Sequence, residues 1–258
     1  MSVLGVYSPY NLEFDHGDGV YLYTNDGTRY LDFTSGIGVM SLGYSHPGLI
    51  NALKNQADKL WHCSNLFTIN GQKTVANKIV KNSFASSVFF CNSGAEAVES
   101  GIKAVRKYYY EKNEQKFKII CTNNSFHGRT FGAISASGKS SMTNGFEPIL
   151  QGFIQVDFND FKQIRKAVDH TTAAILIETV QGEGGITPAK KEYLRDLNKL
   201  ATDNDILLFF DEVQCGVGRT GKFLATEWVG ELQPNLVAIA KGIGGGFPLG
   251  ALLLDKKT

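Results

Sequence analysis

Ile206-Leu207-Leu208-Phe209-Phe210-Asp211-Glu212-Val213-Gln214 sets five consecutive apolar residues directly against two carboxylates. A short apolar run without a polar face predicts a strand buried on both sides. Four other runs have the same character: Ser87-Val88-Phe89-Phe90, Phe117-Lys118-Ile119-Ile120, Ala173-Ala174-Ile175-Leu176-Ile177 and Leu236-Val237-Ala238-Ile239-Ala240. Helical patterns alternate with them. The combination predicts an α/β fold: a mainly parallel central sheet with helices on both faces.

Ahead of the sheet, Gly19-Val20-Tyr21-Leu22-Tyr23 and Arg29-Tyr30-Leu31-Asp32-Phe33 flank Asn25-Asp26-Gly27-Thr28, which predicts a β-hairpin. Between the first two sheet strands, Ala97, Gly101, Ala104 and Tyr108 recur on one helical face. That helix starts after Asn92-Ser93-Gly94, with Glu96 and Glu99 expected in its first turn, where the dipole favours anions. No repeat or low-complexity tract interrupts the pattern.

The 258 residues carry 26 Lys and Arg against 25 Asp and Glu, with no sustained basic run, so nothing in the charge points to nucleic acid or an anionic membrane. The expected partner is a small molecule. Cys63, Cys91, Cys121 and Cys215 form no CxxC pair and no cysteine-histidine cluster with metal-ligand spacing, so buried free thiols and no metal are expected. Neither a leader-like N-terminus nor an apolar run of membrane-spanning length is present, which predicts a cytoplasmic protein.

Polar residues collect just after the predicted strands: Ser93, Glu178, Asp211 and Lys241. Open α/β sheets bind ligands at that edge. Each residue alone has an ordinary explanation. Ser93-Gly94-Ala95 suits a phosphate at a helix N-terminus, but Ser-Gly taken alone is more often a simple helix cap. Asp211, at the end of an apolar strand, needs a cationic or hydrogen-bonding partner, and a structural ion pair would serve. A lone lysine is usually a solvated charge. Lys241, however, sits between Val237-Ala238-Ile239-Ala240 and Gly242-Ile243-Gly244-Gly245-Gly246, where burial would lower its pKa and free the amine to attack an aldehyde.

Gly216-Val217-Gly218-Arg219-Thr220-Gly221 matches the GxGxxG pattern literally. It lies late in the chain and beyond Asp211-Glu212-Val213-Gln214, not in a first strand-to-helix turn. Phe223 also stands where a P-loop has Ser or Thr. A glycine-rich active-site loop is the better expectation.

Six motifs in order carry a family resemblance. They are Leu31-Asp32-Phe33 with Gly43-Tyr44-Ser45-His46-Pro47; Asn92-Ser93-Gly94-Ala95-Glu96-Ala97; Phe126-His127-Gly128-Arg129-Thr130; Gln181-Gly182-Glu183-Gly184-Gly185; Asp211-Glu212-Val213-Gln214-Cys215-Gly216; and Ala240-Lys241-Gly242. From Gly19 onward the chain resembles class III, ornithine-type, aminotransferases that depend on pyridoxal 5'-phosphate. The resemblance implies fold type I, with residues 1–47 as the N-terminal part of a small domain and residues 48–258 as the large cofactor-binding domain. It also implies that the C-terminal part of the small domain is absent here, together with a second substrate arginine and a phosphate-binding threonine from a neighbouring subunit.

The same resemblance assigns roles. Ser93, Gly94 and Ala95 would bind the cofactor phosphate, while Phe126 and Val213 would pack on the two faces of the pyridine ring. Asp211 would hold the ring nitrogen and Gln214 the phenolic oxygen. Lys241 would bond covalently to the cofactor and move the proton, with Glu178 supporting the site from behind. Arg129 would clamp the donor's α-carboxylate with its planar fork, and Glu183 would gate the 2-oxoglutarate half-reaction. A homodimer with shared active sites is implied. Tyr44, where histidine is common, and Thr179, where proline is usual, depart from the family pattern.

Ile37 falls where ornithine-specific members have a tyrosine, so an acylated side chain suits it better. Phe67 and Ile69 either extend that apolar wall or pack in the core. The expected reaction moves the δ-amino group of N2-acetylornithine to 2-oxoglutarate, in arginine biosynthesis. Ornithine, succinylornithine and 4-aminobutyrate remain alternative donors, and a non-catalytic cofactor-binding or dimerising remnant remains the alternative of another class.

Overall fold

The computed structural model describes residues 2–258 and leaves Met1 outside. Its chain divides into two compact units that meet in sequence between Ser64 and Asn65.

In the N-terminal unit, β1 (Phe14–Asp18), β2 (Tyr21–Thr24) and β3 (Arg29–Leu31) form an antiparallel sheet in that order. The expected hairpin is its β2–β3 half, closed where Gly27 N–H donates to Thr24 O at 2.9 Å. The additional strand β1 escaped the sequence pattern because its residues, Phe14-Asp15-His16-Gly17-Asp18, do not alternate. A four-residue helical turn α1 (Ser35–Gly38) and the helix α2 (Pro47–Ala57) follow, the latter opening with Pro47 at its first position. Tyr44, the departure from histidine, donates its hydroxyl to Asp32 at 2.7 Å. Burial and that carboxylate push the Tyr44 phenol up to about 12.

In the C-terminal unit the strands are β4 (Ser87–Cys91), β5 (Lys118–Thr122), β6 (Phe153–Val156), β7 (Thr172–Glu178), β8 (Val180–Gln181), β9 (Thr187–Pro188), β10 (Leu207–Asp211), β11 (Leu236–Ile239) and β12 (Gly250–Leu254). Seven of them make one sheet in the order β4-β12-β11-β10-β7-β5-β6, while β8 and β9 pair separately. Only β12 runs against its neighbours, being antiparallel to both β11 and β4. All five predicted strands are present, and β6 and β12 are additions.

Alternate residues of these strands enter two apolar layers. Ile120, Ile175, Ile177, Leu208, Phe210, Val237 and Ile239 face one way. They pack with residues of α3 (Asn70–Lys81), α7 (Phe161–Ala167) and α8 (Lys191–Asp203). Ile119, Cys121, Leu176, Leu207, Phe209, Leu236 and Ala238 face the other way, against α4 (Gly94–Glu111). With both faces covered, the strands read as continuous apolar runs. Two short helices, α5 (Phe131–Ala136) and α6 (Ser140–Thr143), lie between β5 and β6 in the chain.

The buried stripe of α4 is Ala97, Val98, Gly101, Ile102, Val105 and Tyr109. Tyr108 is only partly buried, because the stripe drifts at 3.6 residues per turn. Glu99 lies beyond the first turn, and its carboxylate instead accepts from Gly132 N–H at 2.9 Å. Of the four cysteines, all free, Cys121 and Cys215 are buried whereas Cys63 and Cys91 are partly exposed. Among the described residues, no group of three His, Cys, Asp or Glu side chains could hold a metal ion, and no helix is long and apolar enough to cross a membrane.

Glu212, immediately past β10, is fully buried and accepts from Ala225 N–H at 2.6 Å, Thr226 N–H at 2.8 Å and the Thr179 hydroxyl at 3.1 Å. Thr179, the departure from proline, therefore supplies one of the donors that satisfy this carboxylate. Glu212→Ala leaves buried donors unpaired and is expected to cost about 3 kcal/mol. The check is urea denaturation followed by circular dichroism.

Candidate active site

Because β5, β7, β10 and β11 are parallel neighbours, the residues that follow them meet along one edge of the sheet. Glu178 and Asp211 end β7 and β10 and are partners in register. Both are almost fully buried. Lys241 follows the next strand at φ 51°, an uncommon conformation for a residue with a side chain and one that clusters at functional sites. Its half-buried amine contacts Gln214 Oε1. Burial pulls the Lys241 pKa down against the opposing charges of Asp211, Glu183 and Glu178, which favours the neutral, nucleophilic amine.

Asp211 Oδ2 lies 2.7 Å from His127 Nδ1, and Asp211 Oδ1 accepts from Val213 N–H at 3.0 Å. This is the partner that Asp211 required, a hydrogen bond that becomes an ion pair when His127 is protonated. His127 stands inside one of the quoted motifs, yet the sequence reading gave it no role. The available signal was the demand of Asp211 itself, combined with a histidine beside a strand end. Burial disfavours the imidazolium, but the bond to Asp211 and the charges of Asp211 and Glu178 together hold the His127 pKa above its usual value. Among the described residues, its buried Nε2 has no hydrogen-bond partner.

Ser93 caps α4, its Oγ accepting from Glu96 N–H at 3.1 Å, while the Glu96 carboxylate turns back to Asn92. The capping expectation is thus met. The hydroxyl proton remains able to reach a further acceptor, and the N–H groups of Gly94 and Ala95 belong to a helix's unsatisfied first turn. A Cβ on Gly94 would stand 2.6 Å from Val213 Cγ1 and 3.4 Å from Ala240 Cβ, so this turn lies directly against the Asp211 and Lys241 segments. Gly128, at φ 126°, would meet Ala95 Cβ at 2.6 Å, which brings the Phe126 loop onto the same turn.

Phe126 and Val213 are partly buried, and the Arg129 guanidinium carbon lies 5.6 Å from the centre of the Phe126 ring. Arg129 and Glu183 are exposed. Ile37 belongs to the N-terminal unit, where it is 64% exposed with φ 62°. Phe67 is also exposed, which removes the core-packing alternative for it; Ile69 is partly buried at the start of α3. Gly216–Gly221 forms a reversing loop in which Val217 N–H meets Phe223 O at 2.7 Å and Gly218 N–H meets Lys222 O at 3.1 Å; the one turn of 3-10 helix after it, Ala225–Trp228, is not the α-helix that a dinucleotide site needs.

His127→Phe strips Asp211 of its buried partner, with an expected cost of about 3 kcal/mol. The raised histidine pKa fixes the sign: the contribution of His127 is complete below about pH 6.5 and fades as pH rises through the raised value. The difference between the two proteins in urea titrations from pH 5 to 9 should therefore narrow as pH rises, down to what the hydrogen bond of the neutral imidazole contributes.

Residues 6–258 match the family described as aminotransferase class-III. The chain is 51% identical over 243 residues to the acetylornithine aminotransferase of Agrobacterium fabrum, covering 94% of this chain and 61% of that protein. With its counterpart from Aquifex aeolicus the identity is 47% over 253 residues, covering 98% and 67%. Among solved structures, the ornithine aminotransferase of Toxoplasma gondii ME49 superposes with a TM-score of 0.94 at 31% identity, covering 99% of this chain and 62% of that one. The N-acetylornithine aminotransferase of Stenotrophomonas maltophilia K279a gives 0.83 at 38% identity, covering 96% and 63%. The strand-end site, the ordered motifs and a match along nearly every residue agree: the chain belongs to the class-III aminotransferases.

Proposed function

We propose that the protein is a pyridoxal-phosphate-dependent aminotransferase that moves the δ-amino group of N2-acetylornithine to 2-oxoglutarate, serving arginine biosynthesis in the cytoplasm as a homodimer with shared active sites. The observation that carries the chemistry is a half-buried amine, Lys241, at one strand end, with the buried carboxylate Asp211 ending the adjacent strand. The residues fit the cofactor group by group: an amine for an aldehyde, a carboxylate for a protonated ring nitrogen, and a helix N-terminus for a phosphate. Gly94 and Gly128 have no room for a side chain, which lets Val213 and Ala95 pack directly against that helix start.

When bound, pyridoxal 5'-phosphate supplies an aldehyde that condenses with amines and a ring that withdraws electrons from the bonds of the condensed carbon. Ser93, Gly94 and Ala95 hold the phosphate, Asp211 holds the ring nitrogen, and Gln214 holds the phenolic oxygen. Phe126 and Val213 enclose the ring. Lys241 provides the amine for covalent attachment and afterwards carries the proton away from the reacting carbon of the donor. Arg129 binds the donor's α-carboxylate, and Glu183 gates the acceptor half-reaction. Ile37 stands where the family resemblance puts a tyrosine in ornithine-specific members, and an apolar residue there suits an acylated donor. Its positive φ, rare for a β-branched residue, is backbone strain of the kind that collects at functional sites. Relatives named acetylornithine aminotransferase at 47–51% identity support the choice of donor.

Titration with pyridoxal phosphate, then borohydride reduction and peptide mapping, should place a pyridoxyl group on Lys241. Lys241→Ala should form no such adduct while keeping weaker binding through Ser93, Gly94 and Asp211. An adduct on another lysine, or none on the 258-residue chain, overturns the assignment. Steady-state rates should rank acetylornithine above ornithine, succinylornithine and 4-aminobutyrate, and Ile37→Tyr should shift the ratio toward ornithine by roughly tenfold. A wild-type preference for ornithine would remove the acetylated donor.

A further inference from the structure

Glu178 uses its two carboxylate oxygens on two different loops. Oε1 accepts from Phe126 N–H at 3.0 Å and Oε2 accepts from Gly182 N–H at 3.3 Å. The first loop carries Phe126, His127 and Arg129; the second carries Gly182 and Glu183. We infer that Glu178 is a positioning residue, a carboxylate clip that sets the ring-stacking loop against the loop bearing the acceptor-gating glutamate. The two hydrogen bonds are given by geometry alone, the pH response also uses the burial-raised pKa of Glu178, and the consequence for Phe126 and Glu183 rests on the functional reading above.

A second tie joins the same loops through neutral groups. Gln181 Nε2 donates to Asn123 O at 2.9 Å and approaches the Thr122 and Ser125 hydroxyls at 3.2 Å each. Gln181 therefore holds the bases of the loops at any pH, while Glu178 holds them only as its charge permits. Burial pushes Glu178 up to about 7, opposed by His127 and by the two N–H donors and reinforced by Asp211. The other charged or titratable groups facing it are Lys241 and the Cys215 thiol, which burial keeps neutral. An ionised carboxylate accepts at both oxygens, whereas a protonated one turns an oxygen into a donor and releases one loop.

The two pH responses have opposite signs. A carboxyl whose pKa is raised on folding contributes stability that is lost as pH rises through about 7. The clip, in contrast, is complete only above that pH. Tightening of one specific loop amide while the whole fold weakens is not what a generic structural role produces.

Hydrogen exchange on the 258-residue chain at pH 6 and pH 8, expressed as protection factors so that intrinsic rates cancel, reads the clip directly. Phe126 or Gly182 should gain roughly tenfold protection at pH 8, the effect of one hydrogen bond to a charged acceptor. In Glu178→Gln one amide should be unprotected at both pH values, since the side-chain NH2 cannot accept, while amides of the Gln181 tie keep theirs. Equal protection at both pH values in the wild type overturns the clip, as does a folded Glu178→Gln with unchanged Phe126 and Gly182. Should that variant not fold, the wild-type comparison decides. The Lys241 adduct is measured separately, so loss of the clip and loss of the cofactor assignment are distinguishable.

Discussion

A carboxylate at the end of a strand buried on both faces has to be partnered, and much of the candidate site follows from meeting that requirement at Asp211. His127 satisfies it at 2.7 Å. To reach Asp211, the loop after β5 must fold back over the sheet edge, which puts Gly128 against Ala95 and so ties the loop to the start of α4. Gly94 in turn lies against Val213, whose N–H is already committed to Asp211. One buried carboxylate thus fixes the Phe126 loop, the helix N-terminus and the segment after β10 in mutual register.

The sheet decides where this can happen. Parallel strands end together, so β5, β7, β10 and β11 deliver their following residues to one edge. The reversed strand β12 separates β4 from that group, yet it begins where the others end. Its first residue, Gly250, lies so close to the Ser93 carbonyl that a side chain there would collide with it. The turn after β4 is thereby drawn toward the group instead of being held apart by the intervening strand. Burial then tunes the chemistry in opposite directions at neighbouring positions, lowering the basicity of Lys241 and raising the pKa of Glu178.

By itself the sequence determined the five strands with continuous apolar runs, the cap at Ser93, the strand-end placement of Glu178, Asp211 and Lys241, and the family. These are local properties: buried parallel strands need unbroken apolar stretches, and caps and motifs occupy adjacent residues. Only the tertiary structure decided the rest. β6, with Gln155 among four residues at a sheet edge, carries no distinguishing period, and β12 is a short apolar run whose reversed direction is set only by its neighbours. His127 and Asp211 are 84 positions apart, and Phe126 and Glu178 are 52 apart. Pairings over such separations depend on strand order and on which buried groups lack a partner, and those are fixed only when the sheet is assembled.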